Sequence, residues 1–177
     1  MTTNELGQMY ALTVLTPVDP SRVDDIQQEL AGLPRRPSPF ARMRSVHFAR
    51  WVMMLDFVND PSQPATLHFP APYLLLSATF DGPLDTFLAD LTTHLPEETK
   101  AIYSNCIGAP EPAQGAPLHE YLRHNQVDTG LFFSAYPDAT VETVTDALSV
   151  RQRVIDFGIS AQGMSPEDLL DAFRREF

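Results

Sequence analysis

The chain has one cysteine, Cys106, among its 177 residues, so no intrachain disulfide can form. That usage fits a reducing compartment. No run approaches the roughly 18 consecutive apolar residues of a membrane span. Residues 1–8 lack the basic stretch and apolar core of a secretory signal. Together these absences predict a cytoplasmic protein without a membrane partner. Basic residues are also few, 12 Lys and Arg against 23 Asp and Glu, a formal charge of −11. Such a surface repels phosphate backbones, which argues against nucleic acid as a partner. The one basic cluster, Arg35, Arg36, Arg42, Arg44 and Arg50, is short and broken by proline.

Motifs that fix a chemistry are missing as well. There is no HExxH, and His119 and His124 miss the i, i+4 spacing that puts two imidazoles on one helix face, so no metal site is expected. His68 and His94 are isolated, His94 at a helix end where a cation complements the dipole. Neither CxxC, a glycine-rich dinucleotide fingerprint nor a serine-hydrolase elbow is present. Cys106 near a helix C-terminus reads as a core thiol rather than an activated nucleophile.

What is present is an ordinary globular balance, 44% hydrophobic and 20% charged, on a length that suits one domain. Residues 9–16 are β-branched and aromatic, which predicts a strand. Asp19 as N-cap and Pro20 at the first helical position then open a helix with Val23, Ile26, Leu30 and Leu33 on one face. A second strand is expected over 44–55, a loop over 59–72 and a third strand over 73–80. Asp81, read as a cap, leads into a helix whose stripe is Leu84, Phe87, Leu88, Leu91 and Leu95. A helical piece over 96–105 follows, with Ile102 and Tyr103 turned inward. A proline- and alanine-rich loop (109–117) precedes a short helix over 118–124 and a last strand over 130–136. Two final helices begin near Thr140 and Ser165, with Val141, Val144, Leu148, Val154, Ile155 and Phe157, then Leu169, Leu170 and Phe173, facing inward.

The order β-α-β-β-α-β predicts an α+β, ferredoxin-like antiparallel sheet over 1–137, with a helical extension over 138–177 packed on the same domain. The strands carry apolar residues on both faces, so the second sheet face needs cover. A partner's sheet would supply it, which predicts a homodimer.

His47 is the first candidate for chemistry. Strict alternation sets it beside Trp51 and Met53 on one face of the second strand, where an imidazole among aromatics and thioethers could act as a general base or a haem ligand. A buried histidine satisfied by a neighbour would look the same. Arg50, on the other face, is expected to pair with a helix carboxylate such as Asp85 or Asp90, or else to clamp an anion. Tyr136 and Ser134 on the last strand, with Tyr73 and Ser77 on the third, could donate hydrogen bonds into a sheet-face pocket. His47 and Tyr136 are thus the expected acid–base pair. Trp51, Met53, Tyr73, Ser77, Ser134 and Arg50 would line a pocket for a hydrophobic or aromatic small molecule. A non-catalytic ligand-binding or accessory protein would show the same pattern.

Three signatures carry a resemblance: His47-Phe-Ala-Arg-Trp51 on the second strand, Leu74 to Gly82 ending Phe-Asp-Gly, and Cys106-Ile-Gly-Ala-Pro110. With the element order, they resemble the ferredoxin-like dimeric α/β-barrel superfamily over residues 9–137. That superfamily includes cofactor-free monooxygenases, cyclases, muconolactone-type isomerases and haem peroxidases. The resemblance implies a ligand pocket between the sheet and its covering elements, in a dimer. Its haem members use a GxxDG motif and a histidine on a helix after the sheet. Neither occurs here, so the expected cofactor is none, with haem the lesser alternative.

Overall fold

A computed structural model describes residues 4–57, 61–62, 64 and 68–177. Part of the expected loop over 59–72 lies outside the described residues. The chain divides into two compact units, Met1–Thr140 and Val141–Phe177.

The first unit is α+β. Its antiparallel sheet has four strands, β1 (Glu5–Leu6), β2 (Met9–Pro17), β3 (Val46–Met54) and β4 (Tyr73–Asp81), in the order β1-β2-β4-β3. Alternation along β2 and β4 is strict. Tyr10, Leu12, Val14 and Thr16, with Leu74, Leu76, Ala78 and Phe80, are buried on one face, and the residues between them stay half-exposed. Four helices supply the cover for that buried face: α1 (Val23–Gly32), α2 (Leu84–His94), α3 (Pro96–Tyr103) and α4 (Gly115–His124).

Each helix follows from its pattern. The Asp19 carboxylate accepts from the Ser21 N–H at 2.8 Å and heads a 3₁₀ turn over Pro20–Arg22 that runs into α1. Ile26 is fully buried, with Val23, Leu30 and Leu33 packed against the same core. From α2 come Phe87, Leu88 and Leu91, from α3 Ile102 and Tyr103, from α4 Leu118 and Leu122. Phe80 stacks between Tyr10 (5.3 Å) and Phe87 (4.0 Å), tying the central strands to α2.

The expected strand over 130–136 does not form. The outer edge of β2 already has partners where such a strand would pair. Residues Tyr10 and Met9 pair with β1, and Thr13 and Leu15 exchange backbone bonds with Val127 (2.8 Å) and Asn125 (3.0 Å) around a single bridge, Val14 to Gln126. Beyond it the chain is held by the buried Asn4 side chain, which accepts from the Thr129 N–H at 2.7 Å and donates to Asp128 at 3.2 Å. Residues 130–136 are irregular, and Leu131, Phe133 and Tyr136 are 88%, 81% and 75% exposed.

The second unit is a pair of helices, α5 (Val141–Ser160) and α6 (Pro166–Glu176). Ser165 caps α6 by accepting from the Asp168 N–H. Phe157 meets Phe173 and Phe177, each at 5.8 Å. The expectation of inward-facing apolar residues is met in part, by Phe157, which packs on Phe173 and Phe177. Neither helix has a buried residue, and Val144, Leu148, Val154, Ile155, Leu169, Leu170 and Phe173 are exposed.

Candidate functional site

One feature of β3 reorganises the candidate residues. Val46 pairs with Phe80 and Phe48 pairs with Thr79, leaving His47 as an extra residue in a β-bulge. A bulge breaks the two-residue period and re-aims the side chain within it. Val46, which strict alternation sets on the opposite face, consequently shares the helix-covered face with Ala49, Trp51 and Met53, and His47 is left out of their row.

His47 turns to Asp81 instead, with Nε2 2.7 Å from Oδ1 and the two side chains 12% and 15% exposed. Asp81 was expected to cap the following helix. It ends β4, its N–H donates to the Ser45 carbonyl, and α2 carries no side-chain cap. In a neutral imidazole such a carboxylate contact selects the tautomer in which Nε2–H donates and Nδ1 accepts. That is the arrangement of an oriented base, and equally of a satisfied structural histidine.

Trp51 and Met53 therefore line the core. The Trp51 indole N–H donates to the Tyr103 hydroxyl at 3.1 Å, and its ring lies 4.4 Å from Phe40. Tyr103 is fully buried, which pushes its phenol far above the ordinary range. Cys106 is buried 3.5 Å from the Thr16 hydroxyl, and burial raises its thiol to about 11. A thiol held neutral in this way is a core residue and no nucleophile.

On the opposite sheet face the register assembles rows across three strands. Ala11, Thr79 and Phe48 form the first; Thr13, Ser77 and Arg50 the second; Leu15, Leu75 and Val52 the third; Pro17, Tyr73 and Met54 the fourth. A shallow depression of about 160 Å³ lies at Phe48, Ala49, Arg50, Ser77, Ala78 and Thr79. Arg50 does not reach the helix carboxylates expected for it, since Asp85 pairs with Arg123 and Arg50 lies on the sheet face away from α2. No ion pair involves Arg50 among the described residues.

Of the candidates read from sequence, Arg50, Tyr73 and Ser77 thus share one face, with the His47–Asp81 pair where β3 and β4 meet at the bulge. Ser134 and Tyr136 lie in the irregular segment, where the Tyr136 N–H donates to the Ser134 hydroxyl at 3.3 Å.

Three polar pairs escaped sequence reasoning because they join distant segments. His68 Nδ1 lies 2.5 Å from Asp56, whose carboxylate also accepts from the Phe57 and Phe69 N–H groups. The His68 bond, then those two, hold the Asp56 carboxyl below its ordinary range. His119 Nε2 lies 2.8 Å from the Thr92 hydroxyl, and Tyr10 accepts from Gln126 at 2.9 Å. Among the described residues no group of three or more His, Cys, Asp or Glu is placed to hold a metal ion. Nor is any described helix long and apolar enough to cross a membrane.

No protein-family model, curated protein or solved structure matches this chain, and the superfamily resemblance stands on the residues that suggested it.

Proposed function

We propose that the open sheet face of a ferredoxin-like domain binds a small amphiphile, with an apolar or aromatic body and an anionic group, and that the chain acts as a homodimer. The observation that carries the reading is the gradation across this face. A guanidinium without an ion-pair partner among the described residues sits beside Ser77 and Thr13. Next to it lies the all-apolar row Leu15, Leu75 and Val52, with Tyr73 and Met54 beyond. In a chain of charge −11 a lone arginine on an apolar sheet face is an anion contact in waiting. Ligand pockets that engulf a metabolite run to about 300 Å³ or more, so the depression of about 160 Å³ suits the ligand's head group while its body lies along the apolar rows. The polar row also makes this face a poor dry interface between two sheets, because partner strands would strand Arg50, Ser77 and Thr13 away from water.

The test is a titration followed by amide shifts, with 2-naphthoate and its neutral alcohol as probes. The expected shifts fall on residues 48–54 and 73–79, with naphthoate binding more tightly. Arg50→Ala should erase up to about fivefold of that preference, the worth of at most about 1 kcal/mol for an exposed ion pair. Shifts located elsewhere, or a preference untouched by Arg50→Ala, would overturn the reading.

A second reading, metal-free acid–base catalysis on the bound molecule, draws on the 2.7 Å His47–Asp81 contact. It requires His47→Gln to abolish turnover while leaving affinity intact. Loss of affinity and turnover together would return His47 to a structural role.

A further inference from the structure

The sheet has one finished edge and one open edge. Beyond β2, the two-residue β1 and the bridge at Gln126 engage the outer backbone groups of Ala11, Thr13 and Leu15. Antiparallel pairing alternates, so Leu12 and Val14 turn to Ala78 and Leu76 of β4, while Thr79, Ser77, Leu75 and Tyr73 turn the other way, to β3. Their partners Phe48, Arg50, Val52 and Met54 use their N–H and C=O groups on β4. The backbone groups of Ala49, Trp51 and Met53 therefore point outward, and among the described residues nothing bonds them. Neither α5 nor α6 has a ladder to offer, because a helix bonds along its own axis.

The core is incomplete at the same edge. On the helix-covered face Leu12, Val14, Leu74, Leu76 and Ala78 are at most 3% exposed, whereas Ala49, Trp51 and Met53 are only half-buried. Edge strands are ordinarily blunted by proline, lysine or shortness. Past the bulge, the stretch from Phe48 to Met54 has no proline, glycine or lysine and a single charge, Arg50.

We infer that β3 pairs antiparallel with β3 of a second copy, across a two-fold axis at Trp51, joining the two sheets into one. The inference rests on the dimeric part of the proposed function and assigns its surface. Self-complementarity singles out a second copy as the occupant. The axis sets Ala49 against Met53, and Trp51 against Trp51, of the other copy, so outward residues match outward residues and each pair exchanges both bonds. On the covered face a small side chain thereby meets a large one. On the open face Phe48 meets Met54 and Arg50 meets Val52, so no charge stands directly opposite its like. The two Arg50 residues lie on a diagonal, about 7–8 Å apart, where both side chains reach water. The open face, a poor dry contact between sheets, stays free for its ligand. Arg50 of each copy comes into line with the apolar row Leu15, Leu75 and Val52 of the other.

Light scattering and cross-linking on the full chain test this. Wild type at micromolar concentration should have the mass of a dimer. Met53→Pro removes an outward N–H and leaves the bonds to β4, so it should weaken the dimer at least tenfold with unchanged circular dichroism. Phe48→Cys with Met54→Cys should give a disulfide-linked dimer on mild oxidation, because positions 48 and 54 of different copies form a closely spaced, non-hydrogen-bonded pair. Neither single variant should cross-link, since each position lies about 20 Å from its own counterpart across the axis. The native Cys106 is buried. A monomeric wild type would overturn both this inference and the dimer in the proposed function. With a dimeric wild type, a folded Met53→Pro chain that stays dimeric would overturn the β3 interface alone, as would a double-cysteine chain that cross-links no better than the single ones. Should Met53→Pro unfold, the cross-link decides. Amide shifts with naphthoate read the sheet-face site independently of either result.

Discussion

If Trp51 is a core residue, its bond to Tyr103 should have a measurable and asymmetric energy. The indole N–H donates to the phenol at 3.1 Å. Tyr103 is fully buried, Trp51 only partly. Tyr103→Phe removes the acceptor and leaves an indole N–H that water can still approach, so the expected cost is about 1 kcal/mol, that of one neutral hydrogen bond. Trp51→Phe leaves a hydroxyl sealed in the core with no partner. Its cost is about 2 kcal/mol for desolvation, with further loss from the packing on Phe40 at 4.4 Å. The double variant should recover about 1 kcal/mol of coupling, because removing both partners leaves nothing unsatisfied. Urea unfolding followed by far-ultraviolet circular dichroism measures all four proteins. As the only tryptophan, Trp51 also reports on ligand position. Naphthoate bound to the open face should shift sheet amides without direct contact with the indole. Zero coupling, or a Tyr103→Phe cost exceeding that of Trp51→Phe, would refute the placement of Trp51 in the core.

Two further outcomes follow from the same coordinates. Gly7 has φ of +59°, and a Cβ there would lie 2.5 Å from the Pro137 carbonyl oxygen, whereas Gly82 at +85° faces open space. Gly7→Ala should lower the melting temperature well beyond Gly82→Ala, which bears only the backbone strain of about 1 kcal/mol; equal shifts would show that residues 7 and 137 are not in contact. Cys106, raised to about 11 in the folded chain, should react with a disulfide reagent at pH 8 only as fast as the protein unfolds. Because the folded value exceeds the unfolded one of about 8.5, its contribution to stability is complete below that pH and is lost as pH rises towards about 11. A Cys106→Ala protein whose stability fell just as much relative to wild type at pH 7 and pH 10.5 would contradict this.

The parts of the fold that were legible are those governed by near neighbours in sequence. Asp19 and Pro20 announce the start of α1, and the spacing of Ile26 with Leu30, or Phe87 with Leu91, declares the buried face before any partner is known. The alternation of β2 and β4 was equally plain. The strand expected over 130–136 failed for a reason no local pattern contains. Leu131 and Phe133 alternate as a strand should, but Asn125 and Val127 already hold the backbone of β2 that such a strand would pair with. Likewise α5 reads as amphipathic, yet nothing in its spacing says that Phe157 meets α6 while Val144, Leu148 and Ile155 stay exposed.

The bulge at His47 shows why the site was harder to read than the fold. A period of two predicts the face of every residue on a strand from any one of them, until a single extra residue inverts the rule. Counting from Met53, His47 belongs with Trp51; counting across the bulge, it belongs with neither face and reaches Asp81, 34 positions away. The same slip moves Val46 into the core with Ala49, Trp51 and Met53. The row that pairs Arg50 with Ser77 and Thr13 is likewise a property of register, since the three residues come from three separate stretches of sequence. Composition could supply an arginine, a histidine and a set of apolar strands; only the pairing of β2, β4 and β3 decides that the arginine borders an apolar row while the tryptophan lies beneath it. The one-residue irregularity in β3 therefore decides where His47 and Val46 turn, and shortening the strand by that residue would exchange the two faces for everything that precedes it.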